Sequence, residues 1–407
     1  MSKKRVCIVV DNDVYRDSRV RKFSRTLSKK YYVIVVGVSK NRALTAKVTD
    51  NFILAGSISL FLYEKIKSAY KKMRPSSGLV TIIRQNTKRK RNAKFFVRDW
   101  IWYISGYFVR RKIFSVISKL DVDVYHANDL PTLAPTMKAS KKNGAKVIYD
   151  SHELYMEQGM FSSDFLINRY KKEEASNIRL ANAVVTVNEF IGSEMKKRYG
   201  TRENPEVVYN YPYATKALAV QQKHKEIILL YQGLYGPSRG LEELIESIRF
   251  VGDKYTLKLR GVGDYIFKLK QIVKEQKLED RVEFLEPVKS EDLTKSAEFA
   301  DVGVIMYKAE CLNNLYASPN KLFEYINAGL AILCNDLPFV ASIVKTHNLG
   351  ICVREITTKA LVEAISKFDQ ERITLFKSNA FQVSNVFTWE NQEPKIFETY
   401  DKVLRVQ

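Results

Sequence analysis

The chain has 407 residues, 45% of them apolar and 28% charged. At ~100–200 residues per domain that implies two or three domains, and it excludes a disordered chain, a collagen-like repeat and a small disulfide scaffold. The formal net charge of +22 lies wholly in residues 1–210, where 41 Lys and Arg stand against 19 Asp and Glu, whereas residues 211–407 hold 26 of each.

Apolar runs of strand length alternate with amphipathic helical stretches along most of the chain, the pattern of parallel α/β sheets. The basic opening is followed by only five apolar residues before an acidic turn. It therefore reads as a first strand at 6–10 and not as a secretory signal. Further strands are predicted at 33–36, 122–125, 146–149, 183–187 and 206–209, with helices at 18–30 and 130–143. A turn at Asn210-Tyr211-Pro212 and a polar stretch at 216–226 lead into a second series. Its strands are predicted at 227–232, 256–260, 282–284, 302–306, 331–334 and 350–353. Its helices fit at 240–250, 266–276, 290–299, 321–328 and 358–368. The expectation is α/β, two doubly wound domains joined by a linker near 211–225.

Segment 51–119 breaks this alternation. It holds the basic run Thr87-Lys88-Arg89-Lys90-Arg91 and the stretch 95–114, where Trp100, Trp102, Tyr103, Tyr107 and Phe108 stand among Arg98, Arg110, Arg111 and Lys112. Residues 60–119 carry 16 basic and 2 acidic residues, and a field that local implies a polyanionic partner. The longest apolar stretch, 52–63, has 12 residues, against roughly 20 for a spanning helix, so the chain is expected to be soluble or peripheral. Cys7, Cys311, Cys334 and Cys352 show no paired metal-ligand spacing and read as buried thiols in a reducing compartment.

The most informative stretch is Ser318-Pro319-Asn320-Lys321-Leu322-Phe323-Glu324. Pro319 suits a helix start, which puts Asn320 and Lys321 where unpaired backbone N–H groups face outward. Such an end favours a diphosphate, and Lys321 adds a point charge. Glu324, one turn in, can accept hydrogen bonds from ribose hydroxyls. In isolation the same residues also describe an ordinary capped helix with a surface Glu.

This segment resembles the sugar-nucleotide motif of the retaining glycosyltransferases of family 4, whose GT-B fold has two Rossmann-like domains facing each other across a cleft. Other pieces resemble the family in the same order. Asp17-Ser18-Arg19-Val20 is similar to its opening, and 123–130 (DVYHANDL) and 149–154 (YDSHEL) to two strand-end loops of the first domain. Ser238-Arg239-Gly240-Leu241 resembles the loop opening the second domain, and Arg260-Gly261-Val262-Gly263-Asp264 the Gly-rich turn there. Thr388-Trp389-Glu390 resembles the start of the helix that crosses back.

The resemblance implies an acceptor-side domain at 1–213 with the insertion 51–119, a nucleotide-sugar-binding domain at 226–385, and a returning helix within 386–407. It implies that Glu324 holds the donor ribose and that Ser318, Asn320, Gly261 and Gly263 line the nucleotide. Arg239 would grip the diphosphate with Lys321 as a second cation, and His152 would lie beside the transferred sugar. Asp17, Arg19, His126 and Asp129 complete the acceptor side, at the sheet edge where ligands of open parallel sheets sit. The chain departs from the family pattern in three places. Tyr316 stands where the first Glu of the paired-Glu motif falls, Leu234 where an Arg follows the loop's first glycine, and Ala331 where a Pro often follows Gly-Leu.

Asp11-Asn12-Asp13 has a spacing that could hold a hard divalent cation. It follows the first strand, however, so it reads as an acceptor-side loop, and no metal is expected. No zinc cluster, G-x-S-x-G elbow or Walker lysine loop is present. No cofactor is expected beyond the substrate nucleotide sugar, a UDP-sugar before a GDP-sugar. For 60–119 the mixture of basic and aromatic residues matches an interfacial segment, with Trp100 and Trp102 at the headgroup level and ~1 kcal/mol from each Lys or Arg near anionic lipid. A single-strand nucleic-acid groove has a similar composition, but no helix-turn-helix, RRM or KH signal accompanies it. An anionic membrane surface is therefore the expected partner, and no nucleic acid.

The expected protein is a cytoplasmic enzyme, peripheral on the inner face of the membrane. It would move a sugar from a nucleoside diphosphate to a lipid-linked or glycan acceptor in surface polysaccharide assembly. Two other readings stay open: a sugar-nucleotide epimerase of the same fold, and a non-catalytic scaffold or nucleic-acid-binding protein, for which Tyr316 is the best support.

Overall fold

The computed structural model describes residues 3–14, 17–39, 47–49, 52–56, 93–159, 163–214 and 226–405. The chain divides into two compact units, Met1–Val207 with Lys395–Gln407, and Val208–Pro394. The basic run at Lys88, Arg89, Lys90 and Arg91 lies outside the described residues.

The first unit runs β1 (Arg5–Val9), α1 (Ser18–Ser28), β2 (Tyr32–Ser39), β3 (Lys47–Thr49), β4 (Phe52–Gly56), α2 (Ala93–Ile117), β5 (Val124–Asn128), α3 (Asp129–Asn143), β6 (Lys146–Ser151), α4 (Asp164–Ile178), β7 (Ala183–Thr186), α5 (Glu189–Tyr199) and β8 (Glu206–Val207). Its sheet has the order β3-β4-β2-β1-β5-β6-β7-β8 and is parallel except for β3 against β4. A parallel sheet covered on both faces needs strands apolar on both faces, and Val6, Cys7, Ile8 and Val9 are all fully buried. Strand order reverses between β1 and β5, and the crevice beyond their carboxyl ends is where such sheets bind ligands. The C-terminal helix Glu393–Arg405 completes this unit from Lys395 on. Tyr400 is buried there, and the Asp401 carboxylate accepts from the Tyr31 hydroxyl at 2.7 Å and from Lys30 at 2.6 Å.

The second unit runs β9 (Ile227–Leu234), α6 (Leu241–Ile248), β10 (Tyr255–Val262), α7 (Ile266–Glu275), β11 (Val282–Leu285), β12 (Val302–Ile305), α8 (Leu312–Leu315), α9 (Asn320–Asn327), β13 (Ala331–Asn335), α10 (Pro338–Thr346), β14 (Gly350–Val353), α11 (Thr358–Ile365) and α12 (Gln370–Ser384). The sheet β11-β10-β9-β12-β13-β14 is parallel throughout and reverses between β9 and β12. Gly303 on β12 leaves room for the Tyr325 ring, which occupies the place a Cβ would take. The Tyr325 hydroxyl oxygen accepts the Gln232 N–H at 2.7 Å. That contact fixes α9 against the end of β9.

All twelve predicted strands form, with ends shifted by three residues or fewer. The helix predicted at 290–299 does not: only a 3-10 turn, Lys295–Ala297, is present. The Gln232 amide takes the Leu293 carbonyl and the Arg260 guanidinium takes the Ser296 carbonyl, contacts that tie this stretch to β9 and β10. Residues 95–114 lie within the helix α2, where Trp102 packs edge-on to Tyr170 with centroids 5.6 Å apart and Trp100 stacks on Phe165 at 6.3 Å. Among the described side chains of α2 the exposed apolar ones are Ile104, Tyr107 and Phe108, with Trp100 and Trp102 half-buried.

Candidate functional site

In the second unit, the loops after β9 and β12 and the start of α9 bring two cations together. Gly233, one residue before the end of β9, has φ 137°, a conformation that favours glycine. A Cβ built there would meet the Lys321 Nζ at 3.1 Å. Lys321 is 7% exposed, and its Nζ lies 3.7 Å from the Tyr231 ring centroid and 5.8 Å from that of Tyr307. The Arg239 guanidinium sits 4.1 Å over Tyr307, carried by the turn Pro237–Arg239. Asn335 clamps Tyr307 in turn, accepting its N–H at 3.0 Å and donating to its carbonyl at 2.9 Å.

Burial and the nearby Arg239 oppose charge on Lys321 and bring its pKa down to about 7, against the pull of Glu324. An anion placed here offsets both costs. α9 begins after Pro319 with no side chain capping it, so its leading amides add partial positive charge. Glu324 is half-buried one turn in, close enough to raise the pKa of both Tyr307 and Lys321. Ser318 precedes the helix, and the Asn320 side chain accepts from Asn210 at 3.0 Å. Gly261 pairs with Gly233 in the β9–β10 register, and a Cβ on it would run into the Gly233 carbonyl. Gly263 follows at φ 129°, and Leu234 is largely exposed.

In the first unit the carboxyl ends of β5 and β6 hold a buried chain of charge. Arg19 grips Asp150 through Nε and Nη2, each at 2.8 Å. Burial alone would raise the Asp150 pKa, yet Arg19 and His152 hold it well below the carboxylate range. His126 is fully buried, with Nδ1 2.7 Å from the Tyr400 hydroxyl and Nε2 3.3 Å from Asp150, and burial lowers its pKa.

His152 has Nδ1 3.2 Å from Asp129 Oδ2, and Nε2 3.2 Å from Asn128 Oδ1 and 3.4 Å from Asp150 Oδ2. Asp129 and Asp150 raise its pKa well above the ordinary value although burial acts the other way. All three partners are acceptors, so both ring nitrogens carry protons. The raised pKa favours the charged imidazole, in which both nitrogens donate. Asp129 has φ 58°, uncommon for a residue with a side chain. It is held there by the His152 N–H, which its carboxylate accepts at 2.9 Å.

The acceptor-side expectations therefore divide. Asp17 is the cap of α1, accepting the Val20 N–H at 3.1 Å and the Asn12 amide at 3.0 Å. Arg19 and His126 are buried and act through Asp150, whereas Asp17, Asp129 and His152 stay partly exposed. Beside them Asp11 is raised to about 7 by burial and by Asp129. It helps to line a cavity of about 90 Å³, together with Trp102, Leu130, Pro131, Tyr155 and Tyr170. Among the described residues no three His, Cys, Asp or Glu side chains converge on a point that could hold a metal ion. Sequence reasoning missed Asn128, Asp150, Tyr231, Tyr307 and Asn335. Asp150 alone carried a signal, as an acid ending an apolar strand.

Comparison with known proteins follows the same division of the chain. The family model Glycosyltransferase Family 4 matches residues 73–211, and Glycosyl transferases group 1 matches 215–380. Together they span well over half of the chain. The O-antigen chain mannosyltransferase RfbU of Salmonella typhimurium is 22% identical over 283 residues, covering 67% of this chain and 72% of that protein. Sucrose-phosphate synthase of Thermosynechococcus elongatus superposes with a TM-score of 0.72 at 14% identity, over 100% of both chains. Anabaena HepE in complex with UDP and glucose gives 0.68 at 14% identity, over 98% of this chain and 99% of that one. S. aureus TarM, a mutant in complex with UDP among other ligands, gives 0.69 at 12% identity, over 99% and 100%. At such identities the structural likeness speaks for the fold alone.

Proposed function

This chain belongs to glycosyltransferase family 4 and has its GT-B fold, and from that premise we propose that it transfers a sugar, with retention, from a nucleoside diphosphate to a lipid-linked or glycan acceptor in surface polysaccharide assembly. The observation that carries the reading is the convergence of Arg239 and Lys321, on the rings of Tyr307 and Tyr231, beside the uncapped start of α9.

As the bond from the sugar to the diphosphate breaks, negative charge grows on the departing oxygen. Arg239, Lys321 and the α9 amides stabilise that charge where it appears. The same oxygen takes the proton of the incoming acceptor hydroxyl on the donor's own face, so no separate carboxylate base is required. Arg239, with Lys321 once an anion compensates its charge, supplies what a divalent ion would otherwise bring, and the reaction is metal-independent. Glu324 accepts from the ribose hydroxyls. His152, by the family resemblance, lies beside the transferred sugar.

The UDP bound by HepE and TarM supports a UDP-sugar as the donor to test first, and the similarity to RfbU supports a polysaccharide product. Among the described residues no helix is long and apolar enough to cross a membrane. A peripheral place on the inner membrane face is supported by the basic excess of residues 60–119 and by the exposed Ile104, Tyr107, Phe108 and Arg111, which follow helical spacing along α2. Calorimetric titration with UDP, GDP, ADP and their sugars tests the central claim. Binding of one nucleotide is expected, and binding of none refutes it.

A further inference from the structure

Lys321 sits where an amine is costly to charge. Tyr231 lies beneath it, and the Gly233 backbone closes one side. The charged groups that act on it are Arg239, from the turn after β9, and Glu324, from its own helix. Tyr231 and Tyr307, from β9 and the loop after β12, are phenols whose pKa burial raises, so both stay neutral near pH 8. Tyr231 is fully buried, and its hydroxyl donates to the Leu234 carbonyl at 2.8 Å. The ring is thereby fixed under the amine by the backbone of the residue that stands in the place of the family's arginine.

We propose that Tyr231 is a positioning residue for the diphosphate site: it holds the Lys321 amine against Gly233, where the amine supplies the charge that Leu234 does not, and the amine takes up a proton as a nucleoside diphosphate binds. The proposal rests on the nucleotide-sugar reading of this site. In the empty site burial and Arg239 oppose the charge, and Lys321 titrates at about 7. A diphosphate beside it reverses that balance and restores ordinary lysine behaviour. The bound pKa is then the higher one, so affinity is greatest below about pH 7 and weakens as pH rises. An amine that charges only when compensated spares the empty site a standing repulsion with Arg239.

The test is calorimetric titration of the full chain with UDP at pH 8, in HEPES and in Tris, whose ionisation enthalpies differ. At that pH a terminal phosphate with a pKa near 6 has already lost its proton. Uptake of roughly 0.9 proton per UDP is expected from an amine titrating near 7. Lys321→Arg, charged at every pH, should bind with no uptake. Tyr231→Phe keeps the ring and should stay within about threefold of wild type, whereas Tyr231→Leu should weaken UDP roughly five- to tenfold. Heats that do not depend on the buffer overturn the proposal and leave the nucleotide reading standing. So does a Tyr231→Leu protein that melts like wild type and binds UDP equally well. Failure of UDP, GDP and ADP alike to bind overturns the nucleotide reading itself. If Tyr231→Leu does not fold, the buffer comparison of wild type with Lys321→Arg decides alone.

Discussion

Replacing Arg19 by leucine probes whether the first unit is organised around one buried carboxylate. Arg19 gives Asp150 two charge-assisted bonds of 2.8 Å, and neither side chain is more than 3% exposed. The change leaves Asp150 facing only His126 and His152. Removing one partner of a buried pair costs roughly 3–5 kcal/mol. For a unit of about 220 residues that is a fall of roughly 6–20 °C in its melting midpoint, at ~2–4 °C per kcal/mol. Calorimetry measures it, and hydrogen exchange at residues 146–152 assigns the transition to this unit. The pH dependence provides a second readout. The folded pKa of Asp150 is depressed, so its contribution is present above the unfolded value of about 3.9 and is lost as pH falls through the folded one. The folded pKa of His152 is raised, so its contribution is full below about 6.5 and is lost as pH rises through the folded value. Without Arg19 the Asp150 carboxyl titrates higher, and the acid limit of stability should move upward. A loss below about 1 kcal/mol, the scale of an exposed pair, together with an unmoved acid limit, would refute the reasoning.

Glu324→Ala should weaken nucleotide binding by ~1.5–3 kcal/mol, the worth of a charged hydrogen bond, with an unchanged melting temperature; equal affinity by titration would remove Glu324 from the site. Arg239→Ala should lower both kcat and donor affinity, while His152→Ala should lower kcat with nucleotide affinity nearly unchanged; loss of nucleotide binding in both variants would contradict this division of roles. Replacing Lys88, Arg89, Lys90 and Arg91 by Ser should release the protein from anionic liposomes in a salt-dependent way, because surface attraction is screened over ~8–10 Å at physiological salt. Co-sedimentation reads this out, and a wild type that ignores such vesicles ends the membrane reading. Chelation by EDTA should leave turnover unchanged, and an EDTA-sensitive enzyme would bring Asp11 and Asp13 back as metal ligands.

Strands were legible because a parallel sheet buried on both faces demands unbroken apolar runs, as in Val6-Cys7-Ile8-Val9. The start of α9 was legible because Pro319 marks it locally. The surroundings of the cations were not. Tyr231 sits in an apolar run and reads as core, which by burial it is; only the fold brings Lys321 over it from ninety residues further along. Asp150 showed as a polar strand end, but nothing near it in the chain announces Arg19 or Tyr400. The error at 290–299 has the same origin, since Gln232 and Arg260 from other strands hold the Leu293 and Ser296 carbonyls there.

The return of the chain to the first unit at Lys395 sets an order of assembly. Everything that builds the second unit, Val208–Pro394, is synthesised before Tyr400 and Asp401. Until those last residues leave the ribosome, His126 lacks the hydroxyl at its Nδ1, and Tyr31 and Lys30 lack their carboxylate. The unit that begins the chain is therefore finished last, against the usual order in which N-terminal domains fold first during synthesis. A nascent chain that has not yet released Tyr400 and Asp401 leaves the first unit without the helix that closes over His126 and Tyr31.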